Sequence, residues 1–339
     1  MLAAIDQGLI YALLALGVFL TFRILNFADL TVDASFTTGA GTAAMLISQG
    51  ADPWLALGAG TIGGAVGGLI TALLHTKLKI DPLLASILTM FGLYSINLRI
   101  MGTANVSLLR ATTVFTPLAD AGLMGSATSV LLLGAVVVLA LLALDWFLST
   151  SFGLGVIATG DNPGMAASFG VSTDAAKIVA LMLANGMVGL SGAIMAQYQG
   201  FADIGGGTGL ILVGLASVIL GNAVVGTRWM ALATLGVVVG SVLYRLVIYA
   251  VLLWDFVKAQ DTKVISAVLV VAALVLSQSK SVRSSLSRLV PWRRASDLPE
   301  PMSVVPNQFS PLASADASSA GPETRGGDAL SPDTDDAEA

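Results

Sequence analysis

The chain has 339 residues, of which 55% belong to the set Ala, Val, Ile, Leu, Met, Phe, Trp, Tyr and Cys and only 11% are charged. Soluble domains carry about 25% charged residues, and a single globular core cannot bury so much apolar surface. The composition therefore excludes an ordinary water-soluble enzyme. The chain has no cysteine and one histidine, His75, which excludes a disulfide framework, a thiolate nucleophile and a Cys- or His-cluster metal site.

Charge is distributed unevenly along the chain. Residues 295–339 contain nine acidic residues and one basic residue, whereas the first 294 residues contain 15 basic and 12 acidic ones. The C-terminal segment is rich in Ser, Pro, Ala and Asp, so its composition predicts a disordered acidic cytoplasmic tail. We accordingly predict a transmembrane domain over 1–280, a basic juxtamembrane segment over 281–294 and a tail over 295–339.

Nine apolar segments approach the roughly 20 residues that a helix needs to cross the ~30 Å hydrocarbon core. They are 2–22, 32–48, 53–74, 82–100, 129–149, 178–198, 209–227, 229–253 and 264–278. The pattern predicts an all-α, polytopic membrane bundle of about nine transmembrane helices, within a range of eight to ten. Lys and Arg are concentrated in connections that share one side if the C-terminus is cytoplasmic, which places the loop at 150–177 inside and the N-terminus outside.

Two sequence repeats concern how the helices pack. Glycines at four-residue spacing, at Gly60, Gly64 and Gly68 and again at Gly236 and Gly240, predict close contact between helix backbones. The tetrapeptides Phe-Ala-Asp-Leu at 27–30 and Phe-Ala-Asp-Ile at 201–204 follow two apolar segments on opposite predicted sides. An inverted repeat requires that placement, although a similarity of four residues also arises by chance.

A few polar residues lie within or beside the apolar segments, where they are costly unless they pair or line a pathway. The candidates are Asn26, Asp29, Asp33, Tyr94, Asn97, Asn185, Arg245 and Asp261. Asp29 and Asp33 would share one face of a helix, in a stretch typical of a discontinuous helix or of a solvated loop. We expect Arg245 to pair with Asp261, with Asp255 as the second choice. Solute contact and hydrogen bonding between helices both explain the other members of the set.

The cytoplasmic loop at 150–177 contains one short predicted helix, over Pro163–Phe169. Asn162 is its expected N-cap and Gly170 its expected stop, and Met165, Ala166 and Phe169 would form a small apolar face. The chain has no Walker A sequence, so it does not bind ATP through a phosphate-binding loop. The helix is best explained as a knob that inserts into a partner.

The sequence from Gly160 to Val171 follows the pattern Gly-x-Asn-x-x-x-Ala-x-x-x-Gly-Val. It resembles the cytoplasmic signature of ABC importer permeases of the branched-chain amino acid and ribose type. The stretches 23–33, 93–102 and 105–109 are similar to those of the tryptophan and tyrosine permease subgroup. The resemblance covers residues 5–280 approximately and excludes the acidic tail.

This resemblance implies a non-enzymatic permease of the cell inner membrane that moves a small solute, an amino acid or related compound, inward. It implies a second copy of the permease in a homodimer, an ATP-binding subunit that uses the ATP, and an extracytoplasmic solute-binding protein. No cofactor in this chain and no nucleic acid are expected. The signature would be the coupling loop, through Gly160, Asn162, Ala166, Phe169 and Gly170. The alternative function is an ion-coupled secondary transporter of a small solute. In either case the chain is surrounded by membrane lipid.

Overall fold

The computed structural model describes residues 1–225, 230–252, 264, 267, 268, 270 and 271. Among these residues it contains eleven α-helices, one π-helical turn and a two-stranded sheet. The α-helices are α1 (Leu2–Val18), α2 (Thr31–Ser48), α3 (Pro53–Thr76), α4 (Pro82–Met101), α5 (Thr116–Asp120), α6 (Ala127–Ser149), α7 (Ser151–Asp161), α8 (Pro163–Ser168), α9 (Thr173–Gln199), α10 (Leu210–Val225) and α11 (Met230–Leu252). The π-helical turn (Phe19–Ile24) continues α1, and strands β1 (Asn105–Ser107) and β2 (Phe201–Asp203) pair antiparallel.

The first eight predicted apolar segments are helical, and six helices of the described residues are long and apolar enough to cross a membrane. The exceptions are α2 and α10, which are too short or too polar to count as spans by length and composition. The polytopic helical class is thus confirmed, while the β1–β2 pair is a small departure from the all-α prediction. The ninth predicted segment, 264–278, lies mostly outside the described residues.

Helix α9 is the centre of the bundle, and its neighbours α1 and α3 both run antiparallel to it. On α1, Asp6 is level with Tyr198, which donates a hydrogen bond to it over 3.1 Å, and Gly17 packs against the carbonyl of Ala184. On α3, the carbonyl of Pro53 accepts a hydrogen bond from Gln197. The start of each neighbouring helix therefore lies beside the end of α9.

The predicted glycine contacts are confirmed. Gly60, Gly64 and Gly68 of α3 lie against α9, where a Cβ atom at each position would collide with α9 atoms. Gly236 and Gly240 of α11 meet the backbone of α10 in the same way. Close backbone approach of this kind gives van der Waals attraction between helices in lipid, which offers no hydrophobic drive for helix association.

The two Phe-Ala-Asp tetrapeptides lie at opposite ends of α9. Phe27 packs edge-on against His75, and His75 is hydrogen-bonded to Lys177 near the start of α9. Phe201 instead begins strand β2, directly after α9 ends at Gln199. The first tetrapeptide lies between the π-helical turn that continues α1 and α2, and the second lies between α9 and α10. This repeated order on antiparallel helices is the arrangement that an inverted repeat requires.

Candidate functional site: helices α7 and α8 and the break after α1

Helix α8 is a short, firmly capped turn. The side chain of Asn162 accepts a hydrogen bond from the backbone N–H of Met165 over 3.0 Å, as an N-cap residue does. The helix ends at Ser168, and Gly170 adopts a left-handed conformation with φ of 83°. The predicted cap, helix and stop are all present, with Phe169 at the C-cap rather than in the helix.

The exposed face of α8 is smaller than predicted. Phe169 is 80% exposed and Met165 is 54% exposed, whereas Ala166 is only 1% exposed. Ala166 therefore belongs to the contact between α8 and the rest of the chain, and the prediction that it forms part of the outward face is wrong. The outward apolar surface of α8 and its C-cap consists of Met165 and Phe169, and Phe152 and Leu154 of α7 are exposed as well.

Helix α7 was not predicted, because residues 151–161 were interpreted as part of a polar loop. Thr150 caps it by accepting a hydrogen bond from the N–H of Gly153 over 3.1 Å. Val156 is fully buried in a cluster that includes Phe19 and Ile24 of the π-helical turn. The sequence signal that could have indicated this helix is Thr150, a residue type that often caps helices, followed by the apolar Val156. Helix α7 therefore connects α8 directly to the end of α1.

The chain after α1 is irregular. The turn Phe19–Ile24 is π-helical, a form that occurs often at functional sites. Asn26 has a φ of 51°, in the left-handed region that asparagine tolerates better than most residues. Its side-chain amide donates a hydrogen bond to the carbonyl of Gly160 at the end of α7, over 2.9 Å. We call residues 25–30, which join the π-helical turn to α2, the break.

Asp29 is fully buried near the start of α2. One carboxylate oxygen accepts a hydrogen bond from the backbone N–H of Thr31 over 2.9 Å. The other accepts one from the side-chain amide of Asn185, in the middle of α9, over 2.7 Å. A buried carboxylate is costly unless such donors compensate it, so these two predicted pathway residues form one polar contact. The hydroxyl groups of Thr31 and Thr71 extend it to α3, 2.7 Å apart.

Asp33, in the first turn of α2, lies beside the start of α10. Its two carboxylate oxygens accept hydrogen bonds from the backbone N–H groups of Gly209, over 2.7 Å, and Ile211, over 2.9 Å. A negative charge at a helix N-terminus is favourable because of the helix dipole and the unpaired N–H groups there. Asp29 and Asp33 do not share a helix face, because Asp29 precedes α2. Asp29 instead stabilises the start of α2, and Asp33 stabilises the start of α10.

The remaining predicted polar residues do not converge on one site. Asn97 is buried and donates to the carbonyl of Ala34 on α2 over 3.4 Å, whereas Tyr94 on the same helix is 50% exposed. The guanidinium carbon of Arg245 lies 4.0 Å from the ring centroid of Tyr11, a cation–π contact. Asp255 and Asp261 lie outside the described residues, so the Arg245 pairing stays a prediction.

One buried carboxylate was not among the predicted site residues. Asp6 of α1 is fully buried, and it accepts hydrogen bonds from the hydroxyl groups of Ser129, over 2.7 Å, and Tyr198. The position of Asp6 within the first apolar segment could have indicated this contact, since an acidic residue inside a membrane segment requires polar partners. Within the described part of the chain, no three His, Asp or Glu side chains come together as a metal site would need.

The comparisons with known proteins agree with this arrangement. The described residues include six helices long and apolar enough to cross a membrane, which is the architecture of a polytopic membrane protein. Residues 1–276 match the family model described as the permease component of the branched-chain amino acid transport system. The chain belongs to this family, and it is the transmembrane permease of an ABC importer, a multi-pass protein of the cell inner membrane and not an enzyme.

Individual relatives refine the comparison. The chain is 35% identical to a tyrosine transport system permease protein of Clostridioides difficile strain R20291, covering 86% of this chain and 96% of the relative. It is 29% identical to the autoinducer 2 import system permease protein LsrC of Escherichia coli strain K12, covering 63% of this chain and 60% of the relative. A solved metal-chelate type ABC transporter in an inward-facing conformation is 17% identical, with a TM-score of 0.48, covering 81% of this chain and 83% of that chain.

Proposed function

We propose that this permease imports tyrosine or a closely related amino acid, and that α8 is the element through which an ATP-binding subunit drives it. The permease would work as a homodimer of chains with about nine spans and a cytoplasmic C-terminus, supplied by an extracytoplasmic solute-binding protein. The solute follows from the similarity to the tyrosine permease of Clostridioides difficile. Membership of an ABC permease family favours this function over the ion-coupled secondary transporter.

The exposure of Phe169 is the observation that carries the docking proposal. Phe169 is 80% exposed beside Met165, which is 54% exposed, and the two stand on a turn held by the Asn162 cap. Contiguous exposed apolar side chains of this kind are typical of a surface that a partner covers. One buried aromatic side chain can dominate an interface. The turn itself packs on the chain through Ala166, so a force applied at Phe169 reaches α7 rather than bending a loose loop.

The experiment compares two aspartate substitutions at the same end of the bundle. Phe169→Asp places a charge in the proposed contact, while Leu78→Asp places the same charge at a side chain that is 66% exposed and lies outside α8. We expect Phe169→Asp to abolish co-elution of the ATP-binding subunit and solute-stimulated ATP hydrolysis, and Leu78→Asp to keep both. If Phe169→Asp co-elutes like the unmodified permease, α8 is not the docking element.

The solute is tested separately, in proteoliposomes that contain the permease, its ATP-binding subunit and its solute-binding protein. We expect ATP-dependent uptake of labelled tyrosine, with competition by tryptophan and none by ribose. Uptake of ribose without uptake of tyrosine would overturn the proposed solute. Uptake that continues without the ATP-binding subunit would instead favour the secondary transporter.

A further inference from the structure

We infer that Asn26 is a positioning residue, whose hydrogen bond to Gly160 transmits the displacement of the α7–α8 unit to the break after α1. The inference rests on the proposed docking of an ATP-binding subunit at α8. Two independent contacts join α7 to this region: the hydrogen bond itself, over 2.9 Å, and the packing of Gly160 against the carbonyl of Ile24.

The α7–α8 unit is rigid enough to act as a lever. Asn162 ends α7 and caps α8, so no free linker separates the two helices. The N–H of Val171 bonds to the carbonyl of Ala166, and Val171 also packs against Gly155 of α7. A push on the exposed side chain of Phe169 therefore moves α7 together with α8.

The π-helical turn, which joins α1 to the break, has irregular backbone hydrogen bonds. In the π-helical turn the N–H of Leu25 bonds to the carbonyl of Leu20, and the N–H of Phe27 reaches back to Thr21. A π-helical turn is a local irregularity in a helix and occurs often at functional sites. The left-handed Asn26 follows it after one residue, Leu25. The inference assigns to this turn the two arrangements that transmission between distant sites requires.

The break also contacts three other helices, so its displacement is passed on. Phe27 packs against His75 of α3, and the carbonyl of Ala28 accepts a hydrogen bond from Ser86 of α4 over 3.4 Å. Asp29 accepts hydrogen bonds from the side-chain amide of Asn185 on α9 and from the backbone N–H of Thr31, the first residue of α2. Movement at Gly160 thus reaches the helices that pack around α9 through direct hydrogen bonds and side-chain packing.

Two substitutions remove the bond without deforming the backbone. Asn26→Gly removes the amide and tolerates the positive φ, while Asn26→Asp keeps the shape of the side chain but lacks the N–H donor. The matched control for the added charge is Asn105→Asp, an exposed residue of β1 at the opposite end of the bundle. A second control is the melting temperature of the purified permease, which a purely structural role would lower.

The measurement uses the assembled transporter and needs no identified solute. Because the chain has no cysteine, spin labels at Ser48→Cys and Ser149→Cys report the distance between the ends of α2 and α6. We expect ATP with vanadate to change this distance in the otherwise unmodified permease and in Asn105→Asp. In both Asn26 variants the fraction of transporters that shows this change should fall about fivefold, although the ATP-binding subunit still co-elutes.

A transport measurement complements the distance between the spin labels. With tyrosine as the probe, the uptake per ATP hydrolysed should fall about fivefold in the Asn26 variants, which corresponds to the ~1 kcal/mol of one hydrogen bond. The inference is overturned if the distance change survives undiminished in Asn26→Gly and Asn26→Asp, if no change occurs in the unmodified permease, or if only the melting temperature falls. The docking proposal fails by a different result, co-elution of the ATP-binding subunit with Phe169→Asp.

Discussion

A pair of glycine-to-alanine substitutions on one helix tests whether close backbone contact holds α3 against α9. At Gly64 a Cβ atom would collide with the carbonyl of Asn185 and lie 2.9 Å from the Cα of Gly189. Both obstacles are backbone atoms, which cannot rotate away as a flexible side chain can. At Gly58 a Cβ atom would meet nothing within 4 Å. The same substitution is therefore blocked at one position and free at the other.

The magnitude follows from this difference. Alanine favours the helix over glycine by about 0.8–1 kcal/mol in water, and this gain is common to both variants. Overpacking typically costs about 1–3 kcal/mol, and only Gly64→Ala bears that cost. We therefore expect Gly64→Ala to be about 2 kcal/mol less stable than Gly58→Ala, which corresponds to a melting temperature about 4–8 °C lower for a domain of 150–250 residues.

The assay is thermal unfolding of the two purified variants in the same detergent, followed by size-exclusion chromatography to record the folded fraction. Gly58→Ala should match the unmodified permease or exceed it slightly. Equal melting temperatures for the two variants would refute the reasoning, because steric contact at Gly64 would then contribute nothing. A lower value for Gly58→Ala would point to a partner that covers this exposed face.

Three further predictions concern the half-buried Asp33, the buried Asp29 and the tail. Asp33→Ala should lower the free energy of unfolding by about 1 kcal/mol through loss of a helix cap, and Asp33→Asn should recover part of that loss, since the Asn oxygen still accepts; thermal unfolding measures both. Asn185→Leu should destabilise the permease more than Asn97→Leu, because it removes a donor from the buried Asp29 carboxylate. The folded yield after membrane extraction measures this, and a higher yield for Asn185→Leu than for Asn97→Leu would contradict it. A stop codon after Ala295 should leave uptake and insertion unchanged, because a tail of that composition forms no packed core, and uptake in cells checks it.

Much of the architecture follows from the sequence because lipid imposes simple requirements on a chain. A spanning helix must be long and apolar, so eight predicted segments correspond to helices that the structure describes. Helix ends were predictable where a local signal closes them: around α8 these are the Asn162 side chain at the start and the left-handed backbone of Gly170 after the end. The spacing of Gly60, Gly64 and Gly68 predicted close packing, since four residues return to one face of a helix.

Only the tertiary structure decided which polar residues work together. Asp29 and Asn185 are 156 positions apart in the chain, and no local pattern indicates that they meet. Asp33 looked like a neighbour of Asp29 on one helix face, yet it stabilises the start of α10, because that helix reaches it from the other half of the chain. Asn26 and Gly160 are likewise joined across 134 positions. Periodicity determines which face of a helix is apolar, but the partner of a buried polar group depends on how the helices cross.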